Sequence, residues 1–391
     1  MNKRKKLPLP HFVLLVSLAL IASGCATKPD APHKEKEQVS SIKLLFAGDI
    51  MAHKPNYSMK DFHKIWLSVK DQIRSADLSF GNIESPVDDT RDFSTFPNFN
   101  FKHSYADAII DAGFNVFSLV NNHTNDQELE GMMHTLDWAE SIEHQSEQSQ
   151  RKIFFSGLKR TPQEPFSYRL IEKNGFKILF LAVSEILNRP SYSKYMNFVR
   201  PTEKGWADFI QYVKELQKEN PCDLFILSVH SDDPEYVHEV STKRKNYFKR
   251  LLDAGVDIIW ANHPHVVREH DLYMDAEGGF IKNVVMYGNG NTISAQRHRP
   301  QLFKPDTPRD DTGDGVMITI EVQKTKDLVP VIKSVKSSYI TTYITPNYEF
   351  VIENLNDDFI KWLEENRPQW VPYIKARKEI TEKTKENIIW Q

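Results

Sequence analysis

The chain has 391 residues, 40% hydrophobic and 26% charged, with 50 basic against 53 acidic side chains. This composition excludes a disordered tail or a collagen-like repeat and calls for a globular body with a large core. The net charge of −3 excludes a globally basic surface, so nucleic acid is not expected as a partner.

Lys3, Arg4, Lys5 and Lys6 precede an apolar run at 12–22. Its length suits a signal peptide and falls short of the about 20 apolar residues that cross a membrane comfortably. The run ends in Ala22-Ser23-Gly24-Cys25, which resembles a bacterial lipobox. The resemblance implies cleavage before Cys25, lipid on Cys25 and a membrane-anchored lipoprotein outside the cytoplasm. An uncleaved anchor, or plain cleavage with a spare thiol, would leave the bulk of the chain on the same side. Residues 1–24 thus read as a lipoprotein signal peptide. Residues 25–40, rich in Lys, Glu, Pro and Ser, have too little apolar surface to fold and read as a disordered tether.

From 41 onward, short apolar runs alternate with amphipathic stretches: 42–47 then 62–73, 116–120 then 129–142, 224–229 then 236–252, and 258–261. This is an α/β pattern. The continuous run at 177–183 suits a strand covered on both faces. Residues 284–287, 316–322 and 329–335 add strands with little helix between them, which predicts a second, partly antiparallel sheet. The expected body is α/β, a layered helix–sheet–sheet–helix domain over 41–344. Residues 345–391 carry Phe359, Leu363, Trp370, Tyr373, Ile374 and Ile380 at mainly helical spacing. They predict a helical C-terminal tail, packed on the body or free to bind a partner. Cys222, beside the run at 224–229, reads as a small buried hydrophobe.

Polar residues of metal-ligand type follow the apolar strands repeatedly. Asp49 and His53 follow 42–47; Asn82 and Glu84 follow 78–80; Asn122, His123 and Asp126 follow 116–120. His230 follows 224–229, and His263 and His265 follow 258–261. Sites in α/β sheets form beyond the carboxyl ends of strands. One such residue would be a helix cap, but five strand ends with the same chemistry call for a common partner, because desolvating so many polar groups together is costly. Imidazoles with carboxylate and amide oxygens suit Zn²⁺, Mn²⁺ or Fe, and the set is large enough for two ions sharing a carboxylate. Two such ions equip a site to hydrolyse a phosphoester or an amide.

At these residues the sequence resembles the bacterial capsule-synthesis CapA/PgsA family, associated with poly-γ-glutamate and built on a calcineurin-like metallophosphatase fold. The likeness runs from about 42 to 294. It rests on Gly-Asp-Ile-Met at 48–51, Gly-Asn-Ile-Glu-Ser-Pro-Val at 81–87, Asn-Asn-His-Thr-Asn-Asp at 121–126, His230, and His263-Pro264-His265-Val266. The resemblance implies that Asp49, Glu84, Asn122, His230, His263 and His265 hold divalent metal, with Glu84 as the bridge. It further implies that His123 protonates the leaving group, the alternative being support for Asn122. His53, Asn82 and Asp126 are candidates for site support.

Two segments depart from the family pattern. His230-Ser231-Asp232 stands where the family has His-Trp-Gly, and Tyr287-Gly288-Asn289-Gly290-Asn291 where it has Ser-Leu-Gly-Asn-Phe. The pocket rim is therefore expected to differ, and Asp232 with Asp233 to repel an anionic polymer. The basic residues of 243–250 are expected on a solvated helix face. Three functions compete: a surface hydrolase acting on an anionic capsule or wall polymer, a non-catalytic component working with capsule-synthesis proteins, and a surface receptor.

Overall fold

The computed structural model describes residues 39–277, 279–325 and 329–390. The signal peptide expected at 1–24, lipidation at Cys25 and the tether as far as 38 lie outside the described residues. In chain order the first strands are β1 (Val39–Ile50), β2 (Leu78–Ile83), β3 (Val116–Ser118), β4 (Phe154–Ser156), β5 (Tyr168–Lys173), β6 (Phe176–Ser184), β7 (Leu224–His230) and β8 (Ile258–Asn262). The remainder are β9 (His270–Met274), β10 (Ile281–Met286), β11 (Asn291–Ile293), β12 (Asp314–Thr325), β13 (Val331–Ile344), β14 (Phe350–Asn354) and β15 (Glu386–Trp390). The body starts two residues before the expected boundary at 41, because Val39 and Ser40 pair with Thr325 and Lys324 at the end of the β1–β12 ladder.

The strands form two half-sheets. One runs β4-β3-β2-β1-β12-β13 and the other β10-β8-β7-β6-β5. Ladder pairing joins them through Ile281 and Ile332. Within each half the βα crossovers give parallel pairs, and β12, β13 and β14 pair antiparallel with their neighbours. Aromatic rings fill the space between the halves: Phe80 packs on Phe180 at 5.5 Å and Phe46 on Trp260 at 6.0 Å. The Trp260 indole N–H donates to the Ala47 carbonyl at 2.7 Å, tying β8 to β1.

Side-chain alternation explains the layering. On β6, Ile178, Phe180 and Ala182 face the inter-sheet core, whereas Leu179, Leu181 and Val183 face a second cluster. That cluster also holds Trp206, Phe209 and Val213 of the helix Glu203–Glu219 and Tyr247, Phe248 and Leu251 of the helix Thr242–Leu252. β7 and β8 divide the same way, with Ile226 and Trp260 inward and Leu227 and Ile259 outward. A period of two with both phases apolar is what a strand covered on both faces requires. The helix His103–Ala112 buries Tyr105, Ala106 and Ile109 in the core cluster that contains β1 and β2. The architecture is a layered helix–sheet–sheet–helix α/β fold.

The C-terminal stretch is helical over Asp357–Asn366 and Val371–Thr381, and it also supplies β14 against β13 and β15 against β9. Phe359, Ile360, Leu363, Trp370, Tyr373 and Ile374 are buried in the main core. A buried ionic network completes the attachment. Asp314 accepts from Arg297 Nη1 at 2.9 Å and from Arg377 Nε at 2.6 Å, and Arg377 Nη2 reaches Asp311 at 2.7 Å.

Candidate metal centre

The end of β1 is re-aimed before it reaches Asp49. Phe46 pairs with Phe80, but Asp49 pairs with Asn82, so β1 carries one extra residue there. Such a bulge turns a side chain relative to its ladder. Gly48 permits it, because a Cβ at this position would lie 1.9 Å from the Gly290 carbonyl oxygen, and the next amide, Asp49 N–H, donates to that oxygen at 3.0 Å. After β8, His263 and His265 flank Pro264 with φ of 104° and 58°. Left-handed backbone at non-glycine residues costs about 1–3 kcal/mol each and collects where function needs it.

The six residues expected to hold metal come together at one end of the strands, all buried. Donor atoms of Asp49, Glu84 and His230 lie within 4.8 Å of one another, as do those of Glu84, His263 and His265. Glu84 belongs to both groups. Its Oε1 stands 3.7 Å from His230 Nε2 and 3.7 Å from His265 Nε2. Asn122 Oδ1 is 2.8 Å from His230 Nε2, which brings the amide into the same cluster. Glu84 is fully buried and neither of its carboxylate oxygens has a hydrogen-bond partner. A buried carboxylate without partners is costly unless a cation meets it. His263 Nδ1 is likewise buried and unpaired.

Neighbouring groups orient these donors. Asn82 Nδ2 donates to Asp49 Oδ1 at 2.8 Å and lies 3.3 Å from His230 Nδ1. His265 Nδ1 faces two acceptors, Asp49 Oδ2 at 3.2 Å and Asn291 Oδ1 at 3.0 Å, so it carries the hydrogen and Nε2 keeps its lone pair toward Glu84. Burial, then the charges of Asp49 and Glu235, pushes the Glu84 carboxyl well above its ordinary range. Burial and the neighbouring charge of His265 push His263 down to about 3. Burial and the charges of His263 and His265 hold His230 well below its usual value. Burial opposes charge on His265 too, but the hydrogen bond and charge of Asp49 outweigh it and raise its pKa. His230 and His263 are thus held neutral, the state in which an imidazole binds a divalent cation.

His123 borders the cluster. Asp126 Oδ2, which only accepts, is 2.7 Å from His123 Nδ1 and favours the hydrogen there, and the Asn188 amide nitrogen lies 3.2 Å from Nδ1 and 3.5 Å from Nε2. The Phe99 ring meets the imidazole edge-on at 4.7 Å, and Phe99 N–H also donates to Asp126 Oδ2. The His53 ring also meets Phe99, at 5.1 Å. Its Nδ1 accepts from Ala295 N–H at 3.2 Å, and burial with the charges of His265 and His123 lowers it to about 3. Asn82, His53 and Asp126 thus sit beside the cluster as support.

Sequence reasoning missed two participants. Asn188 Oδ1 accepts from Asn122 Nδ2 at 3.2 Å, turning the Asn122 oxygen toward His230, and Asn188 N–H donates to the Asn122 carbonyl. It follows the end of β6, so the strand-end pattern could have found it. Asn291, which stands in the altered rim segment, orients His265; its own amide nitrogen is held by Gln296 and Thr312.

The rim also differs from expectation. Asp232 and Asp233 are not free repulsive charges: Arg244 reaches both, at 2.5 and 3.0 Å, and Arg268 meets Asp233 at 2.7 Å. Arg244 itself is 2% exposed and also pairs with Glu185 at 2.6 Å, so it leaves the solvated helix face expected for 243–250.

Residues 43–296 match the family described as "Bacterial capsule synthesis protein PGA_cap". The chain belongs to that family. Among curated relatives, it is 24% identical to "Capsule biosynthesis protein CapA" of Bacillus anthracis over 320 residues, covering 75% of this chain and 71% of the relative. It is 23% identical to "PGA biosynthesis protein CapA" of Bacillus subtilis (strain 168), covering 75% of each. Among solved structures, a hypothetical protein from Thermus thermophilus aligns with a TM-score of 0.44 and 16% identity, over 76% of this chain and 98% of that one. This member of the capsule-synthesis family therefore carries candidate metal-binding groups at its strand ends.

Proposed function

We propose that this protein is a surface-anchored hydrolase that holds two divalent cations and cleaves a phosphoester or amide bond in an anionic capsule or wall polymer of poly-γ-glutamate type. The observation that carries the reading is Glu84, a buried carboxylate with no hydrogen-bond partner, common to two donor groups. The donor set fits Zn²⁺, Mn²⁺ or Fe, since it offers imidazole, carboxylate and amide oxygen and no thiolate. Asp49, Glu84, Asn122, His230, His263 and His265 would hold the ions, with Glu84 between them. When bound, such ions make water nucleophilic at neutral pH and polarise the scissile group.

The remaining work falls to the chain's own residues. His123, oriented by Asp126, passes a proton from Nε2 to the leaving group. Asn188 fixes the Asn122 amide, and Asn291 fixes the His265 tautomer. Phe99 covers the His123 edge and limits water there. The names of the Bacillus relatives, given for capsule and PGA biosynthesis, support the polymer as substrate, and the lipobox-like segment supports a place at the membrane.

The test is metal content and hydrolysis of a phosphodiester and of poly-γ-glutamate, for the wild type and for Asp49→Ala and His265→Ala. Loss of both metal and hydrolysis in the variants is expected; hydrolysis unchanged in both would end the enzymatic reading. The second reading, an accessory role in polymer synthesis or export, rests on family membership. Capsule production restored in cells by His123→Ala would favour it.

A further inference from the structure

A groove of about 730 Å³ opens between residues 54–60, 298–299 and 347–349. Lys54 follows His53 directly, and Lys60 and Arg299 complete a basic lining, with His298 beside them. All four are exposed. Among the described residues no carboxylate stands within ion-pair distance of any of them. The one carboxylate of the wall, Glu349, is already paired with Lys64 at 2.7 Å.

The groove adjoins His53. His53 accepts from Ala295 N–H, three residues before His298, and His298 is close enough for its charge to bear on His53. The walls are joined by Tyr348, whose hydroxyl donates to the His298 carbonyl at 3.4 Å and whose ring is 48% exposed. A chain whose net charge is −3 has therefore gathered exposed basic side chains without ion-pair partners around one groove.

We infer that this groove is a docking subsite for an extended polyanion, a row of carboxylates or phosphates, which it feeds past His53 toward the strand-end cluster. The inference rests on the hydrolase reading for the direction of feeding, but binding in the groove requires no metal. Exposed lysines and an arginine attract a repeating anion without demanding one fixed geometry, and an aromatic wall gives the polymer backbone an apolar surface. Binding of this kind weakens with added salt.

The test uses the full-length protein with two probes of matched length, poly-γ-glutamate and inorganic polyphosphate, and the double variant Lys54→Glu/Arg299→Glu. Both positions are exposed, so folding is retained; Lys60→Glu gives an independent check. The variants should bind the anion at least about tenfold more weakly, with a shallower salt dependence, because rim charges act through long-range attraction. Their metal content and hydrolysis of a small phosphodiester should match the wild type. Preference for one probe identifies the anion as carboxylate or phosphate. Wild-type affinity in both variants, or no binding of either probe by the wild type, would overturn the subsite. Binding lost in the variants while the wild type proves devoid of metal would keep the subsite and remove the hydrolase.

Discussion

Replacing Glu84 by Gln separates a cation-binding carboxylate from a structural one. Glu84 is fully buried and neither oxygen is hydrogen-bonded. An uncompensated buried charge costs about 3–5 kcal/mol, whereas an amide of the same shape leaves polar atoms unpaired at about 1–3 kcal/mol. Glu84→Gln should therefore be about 1–3 kcal/mol more stable than the wild type in chelator near neutral pH. In Mn²⁺ or Zn²⁺ at a thousandfold excess over Kd, the wild type gains about 4 kcal/mol by mass action. The variant, lacking the anion shared by both donor groups, gains much less, so the order of stabilities inverts. The folded pKa of Glu84 is raised above 4.5. Its contribution is present below 4.5 and lost as pH rises toward the folded value, so the chelated gap should close near about pH 4. Urea midpoints in chelator and in metal, at about pH 4 and about pH 7.5, read all four conditions. A variant that is destabilised by the same amount with and without metal would refute the argument.

Asn291→Ala frees His265 Nδ1 from one of its two acceptors; metal affinity, measured by competition with a chelator, should fall about 10–100-fold, and an unchanged affinity would remove Asn291 from the orienting set. Asp314→Ala leaves Arg297 and Arg377 buried together without their shared carboxylate. The loss should be about 3–5 kcal/mol by urea unfolding, and a loss below about 1 kcal/mol would mean that the network relaxes into solvent. Burial pushes Asp257 from 3.8 up to about 6, against a 2.7 Å hydrogen bond from Phe225 N–H. Its stabilising contribution is therefore present below 3.8 and lost as pH rises through about 6. Asp257→Asn, which keeps the acceptor, should match the wild type near about pH 4 and exceed it by about 1 kcal/mol at about pH 8, discounted for the partial exposure of the side chain. No gain at the higher pH would refute the desolvated charge.

The sequence by itself determined the α/β class and the location of the site chemistry, because both are written in short-range pattern. A strand covered on two faces needs an unbroken apolar run, as at 177–183, and the residue that ends such a run lies at the sheet edge where sites form. Asp49, Glu84, Asn122, His230, His263 and His265 were legible on that ground together with the family likeness. What only the tertiary structure decided are relations between distant segments. Glu84 becomes the shared carboxylate because two half-sheets meet around it. Asn188 and Asn291 matter because each is brought to a donor far away in sequence. Arg244 leaves solvent because Glu185, Asp232 and Asp233 converge on it, and helical spacing alone cannot reveal such partners. The tail joins the body through Asp314 and through strand pairing of Phe350–Asn354 and Glu386–Trp390, since edge strands take their identity from the ladder that receives them and only weakly from their own residues.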